Sequence, residues 1–166
     1  MALLVGCERT TQPAARRSPQ APAAAPPKGP ASFVTISDSN PTIGATITIV
    51  GNVVSPGGVG AFRARLSYDT AALVFVDESP VAGMMRAVNA RPGQIVIAGA
   101  TAAPAADPRL FALRFRVLRG DAFAGVSLGV DELTDGAFVD HARTLTPAPR
   151  GAVRLDRSIV GHMVGR

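Results

Sequence analysis

The chain has one cysteine, one tyrosine, two histidines and no tryptophan among its 166 residues, and each scarcity removes a class of function. A lone Cys7 makes no disulfide within the chain. His141 and His162 both stand near the carboxyl end, away from any second cluster of ligand-type residues, so a zinc site of ordinary spacing is not expected. There is no Cys–His pair and no glycine-rich phosphate loop between a strand and a helix. Catalysis therefore has no evident residues to run on, and a non-enzyme is expected. No run of about 20 apolar residues is present to span a membrane as a helix.

Acidic residues are also few: 12 Asp and Glu stand against 17 Lys and Arg, for a net charge of +5. The surplus is local. Residues 1–30 hold Arg9, Arg16, Arg17 and Lys28 against Glu8, and the last eleven residues hold Arg157 and Arg166 against Asp156, which leaves +1 for residues 31–155. A nearly neutral middle without a dense basic run or interleaved aromatics argues against nucleic acid as a partner.

The lone cysteine acquires meaning from its neighbours. Leu4-Val5-Gly6-Cys7 is similar to the bacterial lipobox, in which small residues precede a cysteine that receives diacylglycerol. A secretory signal carries about 7–15 apolar residues behind a basic start, so residues 1–7 read as a truncated or trimmed lipoprotein signal. Residues 8–31, with Pro13, Pro19, Pro22, Pro26, Pro27 and Pro30, offer nothing to pack and read as an extended tether. The layout is that of a lipid-anchored envelope protein. By similarity to sorting signals of two-membrane bacteria, Glu8 after Cys7 implies export to the outer membrane or cell surface.

From Phe33 onward, short runs rich in Val, Ile, Thr and Phe alternate with Pro, Gly, Asn and Asp clusters, and no helical period competes with them. Strands are expected at Phe33–Ser37, Thr46–Val54, Ala61–Tyr68, Leu73–Val76, Met85–Asn89, Gln94–Ala100, Leu110–Leu118, Val126–Val130 and Ala137–Asp140, with Gly151–Leu155 as a further edge strand. Connections this short demand mostly antiparallel pairing, any parallel contact falling to the outermost strands. One all-β domain over 32–155 and a loose tail over 156–166 follow. In Ala61–Tyr68, Phe62, Ala64, Leu66 and Tyr68 share the core face, leaving Arg63, Arg65 and Ser67 outside. In Leu110–Leu118, Phe111, Leu113, Phe115 and Val117 face in, leaving Ala112, Arg114 and Arg116 out. The rings thus point inward, Phe75 sharing the parity of Leu73, and few remain for an aromatic sugar platform.

Two acidic stretches are candidates for chemistry. Asp131-Glu132-Leu133-Thr134-Asp135-Gly136 would be an EF-hand start, but Leu133 and Ala142 fall where oxygen ligands are needed. A tight turn at Asp135-Gly136, with Gly136 taking positive φ, is the simpler reading, and bound calcium stays open as the other. Asp77-Glu78 cannot flank one bond, because adjacent strand residues point apart.

Four phrases in order, Gly60–Asp69 (Gly-Ala-Phe-Arg-Ala-Arg-Leu-Ser-Tyr-Asp), Pro92–Ala100 (Pro-Gly-Gln-Ile-Val-Ile-Ala-Gly-Ala), Leu110–Val117 (Leu-Phe-Ala-Leu-Arg-Phe-Arg-Val) and Glu132–Gly136 (Glu-Leu-Thr-Asp-Gly), resemble the cohesin domain over roughly residues 33–140. The resemblance implies a nine-stranded jelly-roll β-sandwich, mostly antiparallel and related to carbohydrate-binding modules, that binds a partner without catalysis and without a required cofactor. It implies a partner on the outward face of a sheet holding both Ala61–Tyr68 and Leu110–Leu118, with Arg63, Arg65, Arg114 and Arg116 beside Gln94, Val96 and Arg86. Cohesin partners are dockerin modules, whereas a face of four arginines suits an acidic protein segment or an anionic envelope polymer. Exposed arginines also serve simply to keep a sheet soluble. A polysaccharide-binding module and a structural subunit of a surface assembly are the alternatives.

Overall fold

In the computed structural model, residues 29–105 and 107–156 are described. Their strands are β1 (Ala31–Ile36), β2 (Thr46–Val54), β3 (Val59–Ser67), β4 (Leu73–Ser79), β5 (Met85–Arg91), β6 (Gln94–Ala105), β7 (Arg109–Val117), β8 (Ser127–Thr134) and β9 (Val153–Leu155), with one 3-10 turn at Ala142–Thr144. They form two packed sheets, ordered β4-β7-β2-β1-β9 and β5-β6-β3-β8. This is the expected all-β sandwich of nine strands. Among the described strands every pairing is antiparallel except that of β1 with β9, so the parallel strand pair lies at an edge.

Residue type explains why each strand sits where it does. Strand β2 (TITIVGNVV) is buried over seven consecutive residues, since it lies between β7 and β1 and its outward side is also partly covered. Strand β3 alternates instead, with Phe62, Ala64 and Leu66 buried and Arg63 and Arg65 exposed. The core joins both sheets through Phe62, Leu66, Ile95, Ile97, Phe111, Leu113 and Phe115, with Phe115 meeting Tyr68 and Phe75 edge-on at 5.1 and 5.7 Å. Each sheet gives up one side chain to seat a ring. A Cβ on Gly51 would lie 2.3 Å from the Phe111 ring, and one on Gly99 would lie 2.4 Å from that of Phe62.

Two expectations need correction. Ala137–Asp140 is not a strand: only Asp140 bridges back to Thr134, and the ninth strand is Val153–Leu155. The turn between them does not use Gly136 for its left-handed residue. Phe138 takes that conformation, with φ 61, because the Asp135 carboxylate accepts the N–H groups of Ala137 and Val139 at 2.8 and 3.0 Å and fixes the loop around itself. The expected Asp69 turn is present, its carboxylate accepting the Ala71 N–H at 2.8 Å.

Candidate partner-binding faces

Strand β3 lies in the four-stranded sheet and β7 in the five-stranded one. The expected patch of four arginines therefore does not exist. Arg63 and Arg65 project from one outward face of the sandwich, and Arg114 and Arg116 from the other, with two sheets about 10 Å apart between them. The identical apolar–arginine alternation of the two strands reflects the same in-and-out rule applied in two different sheets.

Three of the four are also paired with acids. Arg65 makes a two-pronged contact with Asp131, at 3.0 and 2.9 Å, and Arg63 approaches Glu132 at 3.8 Å. Arg114 pairs across the strand with Asp77, and its guanidinium holds the Asp77 carboxyl below the usual carboxylate range. Arg116 alone has no ion pair among the described residues. The acids that once suggested calcium are thus distributed: Asp131 and Glu132 answer arginines, while Asp135 receives backbone donors and the His141 Nε2 at 2.9 Å.

Gln94 and Val96 do stand on the outward face with Arg63 and Arg65. The ladders place Thr134, Ala61, Ala100 and Met85 in one cross-strand row and Glu132, Arg63, Ala98 and Ala87 in the next. Gly129, Arg65, Val96 and Asn89 follow, then Ser127, Ser67, Gln94 and Arg91. Down the middle of this grid runs a floor of small side chains, with Ala87, Ala98 and Ala100 exposed and Met85 81% exposed at one corner. These alanines went unnoticed in the sequence, because small outward residues carry no chemistry of their own.

Arg86 is not on that face. Its side chain is 6% exposed and turns into the gap between the sheets, where Nε lies 2.9 Å from Oε1 of Glu78 on β4. The geometry is an ion pair without hydrogen-bond alignment, and Nη1 has no acceptor. Its stem packs over Gly99, whose missing Cβ would sit 3.1 Å from the Arg86 Cγ. The pair bridges β4 and β5, the edge strands of the two sheets. Asp77, one residue earlier, points outward, because an irregularity after Phe75 shifts the register and sets Asp77 opposite Arg114.

The outward face of the five-stranded sheet is finished differently. Val50 and Ala112 on it are covered by Val81 from the segment after β4. Nearby, Asn52 is 3% exposed and donates from Nδ2 to the Thr35 hydroxyl at 3.0 Å and to the Val50 carbonyl at 3.1 Å.

No protein-family model and no curated relative matches the chain. Solved structures do. The sixth cohesin from scaffoldin B of Acetivibrio cellulolyticus, in complex with a Cel5 dockerin mutant, aligns with TM-score 0.56 at 13% identity, covering 76% of this chain and 99% of that one. The second type II cohesin module from the ScaA adaptor of the same organism aligns at 0.54 and 9% identity, covering 78% and 94%. The cohesin module of a Clostridium perfringens family 33 glycoside hydrolase aligns at 0.56 and 10%, covering 77% and 98%. The chain has the cohesin fold. Cys7, most of the proline-rich stretch and residues 157–166 lie outside the described residues.

Proposed function

We propose that the chain is a non-catalytic binding module that receives a protein partner on the outward face of the β5-β6-β3-β8 sheet and holds it at the cell envelope. The observation that carries this reading is the uncovered floor of Ala87, Ala98 and Ala100, flanked by Met85 and Val96. A partner's side chains approach such a floor without displacing anything, and the arginines beside it are already neutralised by Asp131 and Glu132. A dockerin-like module is the partner class this favours: a structural neighbour is described in complex with a dockerin, and the basic surface that spoke for an anionic polymer is divided between two faces. Cys7, as a lipid-modified anchor, supplies the attachment, with the proline-rich segment as spacer.

The test is affinity for a panel of purified calcium-loaded dockerin modules. Ala98→Arg, placing a long charged chain in the middle of the floor, is expected to weaken binding by at least about tenfold, near 1.4 kcal/mol. Arg116→Glu, on the opposite face, is expected to leave it unchanged. The reverse pattern would move the site to the five-stranded sheet. For the anchor, Cys7→Ser in a chain expressed behind a complete lipoprotein signal should abolish incorporation of labelled palmitate, and equal labelling would refute it.

A further inference from the structure

The two poles of the sandwich carry complementary features. Strand β3 runs between them, opposite Thr134 at Ala61 and opposite Ser127 at Ser67. Beyond Thr134 lies the turn 135–139. Phe138 there is the one non-glycine residue with positive φ among the described residues, and it is 88% exposed, next to Val139 at 51%. An aromatic residue held in the left-handed region and in water is unfavourable on both counts. The turn is nevertheless fixed from several directions. Asp135 accepts N–H groups from Ala137 and Val139 and contacts His141. The Phe138 N–H donates to the Asp135 carbonyl at 3.1 Å, and that of His141 to Leu133 at 2.8 Å. On its inner side the Asp135 backbone lies against Gly60, where a Cβ would come within 2.5 Å.

At the other pole, past Ser67, is a cavity of about 360 Å³ lined by Tyr68, Leu73, Phe75, Ala90 and Pro92, with Arg91 at its margin. Arg91 is exposed and makes no ion pair among the described residues. An exposed carboxylate, Asp140, stands two residues from Phe138. Knob and hole thus match in apolar character, and their rims match in charge.

We infer that the chain associates head to tail with further copies of itself, the Phe138 turn of one copy seating in the Tyr68–Pro92 cavity of the next. A preformed turn loses little freedom on docking, and a buried aromatic anchor is the kind of residue that dominates an interface. Knob and hole sit at opposite poles, so each contact leaves one of each unused, and the assembly is an open row rather than a closed dimer. This places successive outward faces of the four-stranded sheet along one line.

The test is sedimentation velocity of the full chain under reducing conditions, from micromolar to millimolar concentration. The parent is expected to show an average mass that keeps rising past that of a dimer. Phe138→Gly, which removes the ring and suits the backbone, and Ala90→Glu, which fills the hole with a charge facing Asp140, should each remain monomeric while melting no lower than the parent. Mixed in equal amounts, the two variants should form a dimer and nothing larger, since each retains the half the other lost. A parent that stays monomeric throughout, variants that associate like the parent, or a mixture that stays monomeric would overturn the inference.

Discussion

The two outward faces of this sandwich are made from the same kinds of strand but finished in opposite ways. On the five-stranded sheet the chain covers itself: Val81 closes over Val50 and Ala112, and Thr48, Thr35 and Asn52 are buried polar residues. On the four-stranded sheet no described segment returns across Ala87, Ala98 and Ala100, which are left in solvent. Covering apolar area stabilises a fold, so a flat floor left bare contributes little to it. The difference fits the proposed roles, with one face serving stability and the other left for contact.

The strongest way to break this comparison is to place a charge at matched positions. Val50→Asp buries a carboxylate beneath Val81 and should cost several kcal/mol, enough to unfold a marginal domain. Ala98→Asp should change stability by no more than about 0.5 kcal/mol. Urea unfolding of both variants checks the contrast, and comparable losses would mean that the four-stranded face is covered too.

A smaller effect separates the open edges from both faces. Glu78→Ala leaves the Arg86 guanidinium buried between β4 and β5 without its counter-charge, and a loss of about 3 kcal/mol is expected. Removing both charges, as in Glu78→Gln with Arg86→Met, should recover most of it, because Nη1 is already without an acceptor. If the single variant unfolds at the same urea concentration as the parent, the pair does not hold the two sheets together.

The turn after β8 should report its state through pH. Hydrogen bonding to His141 first, and to the Val139 and Ala137 amides, holds the Asp135 carboxyl below its ordinary 3.8. A lowered folded-state value means that the stabilisation is complete above the unfolded-state value and is lost as pH falls through the folded one. Asp135→Asn should therefore melt below the parent at pH 7, the gap narrowing only under about pH 4. A gap that stays constant down to pH 2 would remove the carboxylate's charge from the account. Smallest of all is the surface pair Arg65–Asp131: Arg65→Gln should shift stability by about 1 kcal/mol or less, since both side chains are partly in water.

Much of this was legible in the sequence, and the limits were physical. Period-two alternation correctly placed Phe62, Ala64, Leu66, Phe111, Leu113, Phe115 and Val117 in the core and Arg63, Arg65, Arg114 and Arg116 outside it, because burial acts on each strand separately, but it left Ala112 in solvent, where Val81 covers it. It did not tell which strands share a sheet, since β3 and β7 satisfy the same rule in different sheets. Arg86 was misplaced because a long stem over Gly99 and an acid from another sheet let a charge go inward. Phe138 escaped notice because the neighbouring Gly136 looked the better left-handed residue, and only the Asp135 hydrogen bonds decide between them.

The central claim is that the uncovered face is the contact face, and the alanine methyl groups that define it are also its best reporters. Methyl-labelled chain titrated with a calcium-loaded dockerin module should show shifts concentrated at Ala61, Ala87, Ala98 and Ala100, with Ala112 unmoved beneath Val81. Shifts centred on the β4-β7-β2 face, or no shift with any dockerin tested, would contradict it.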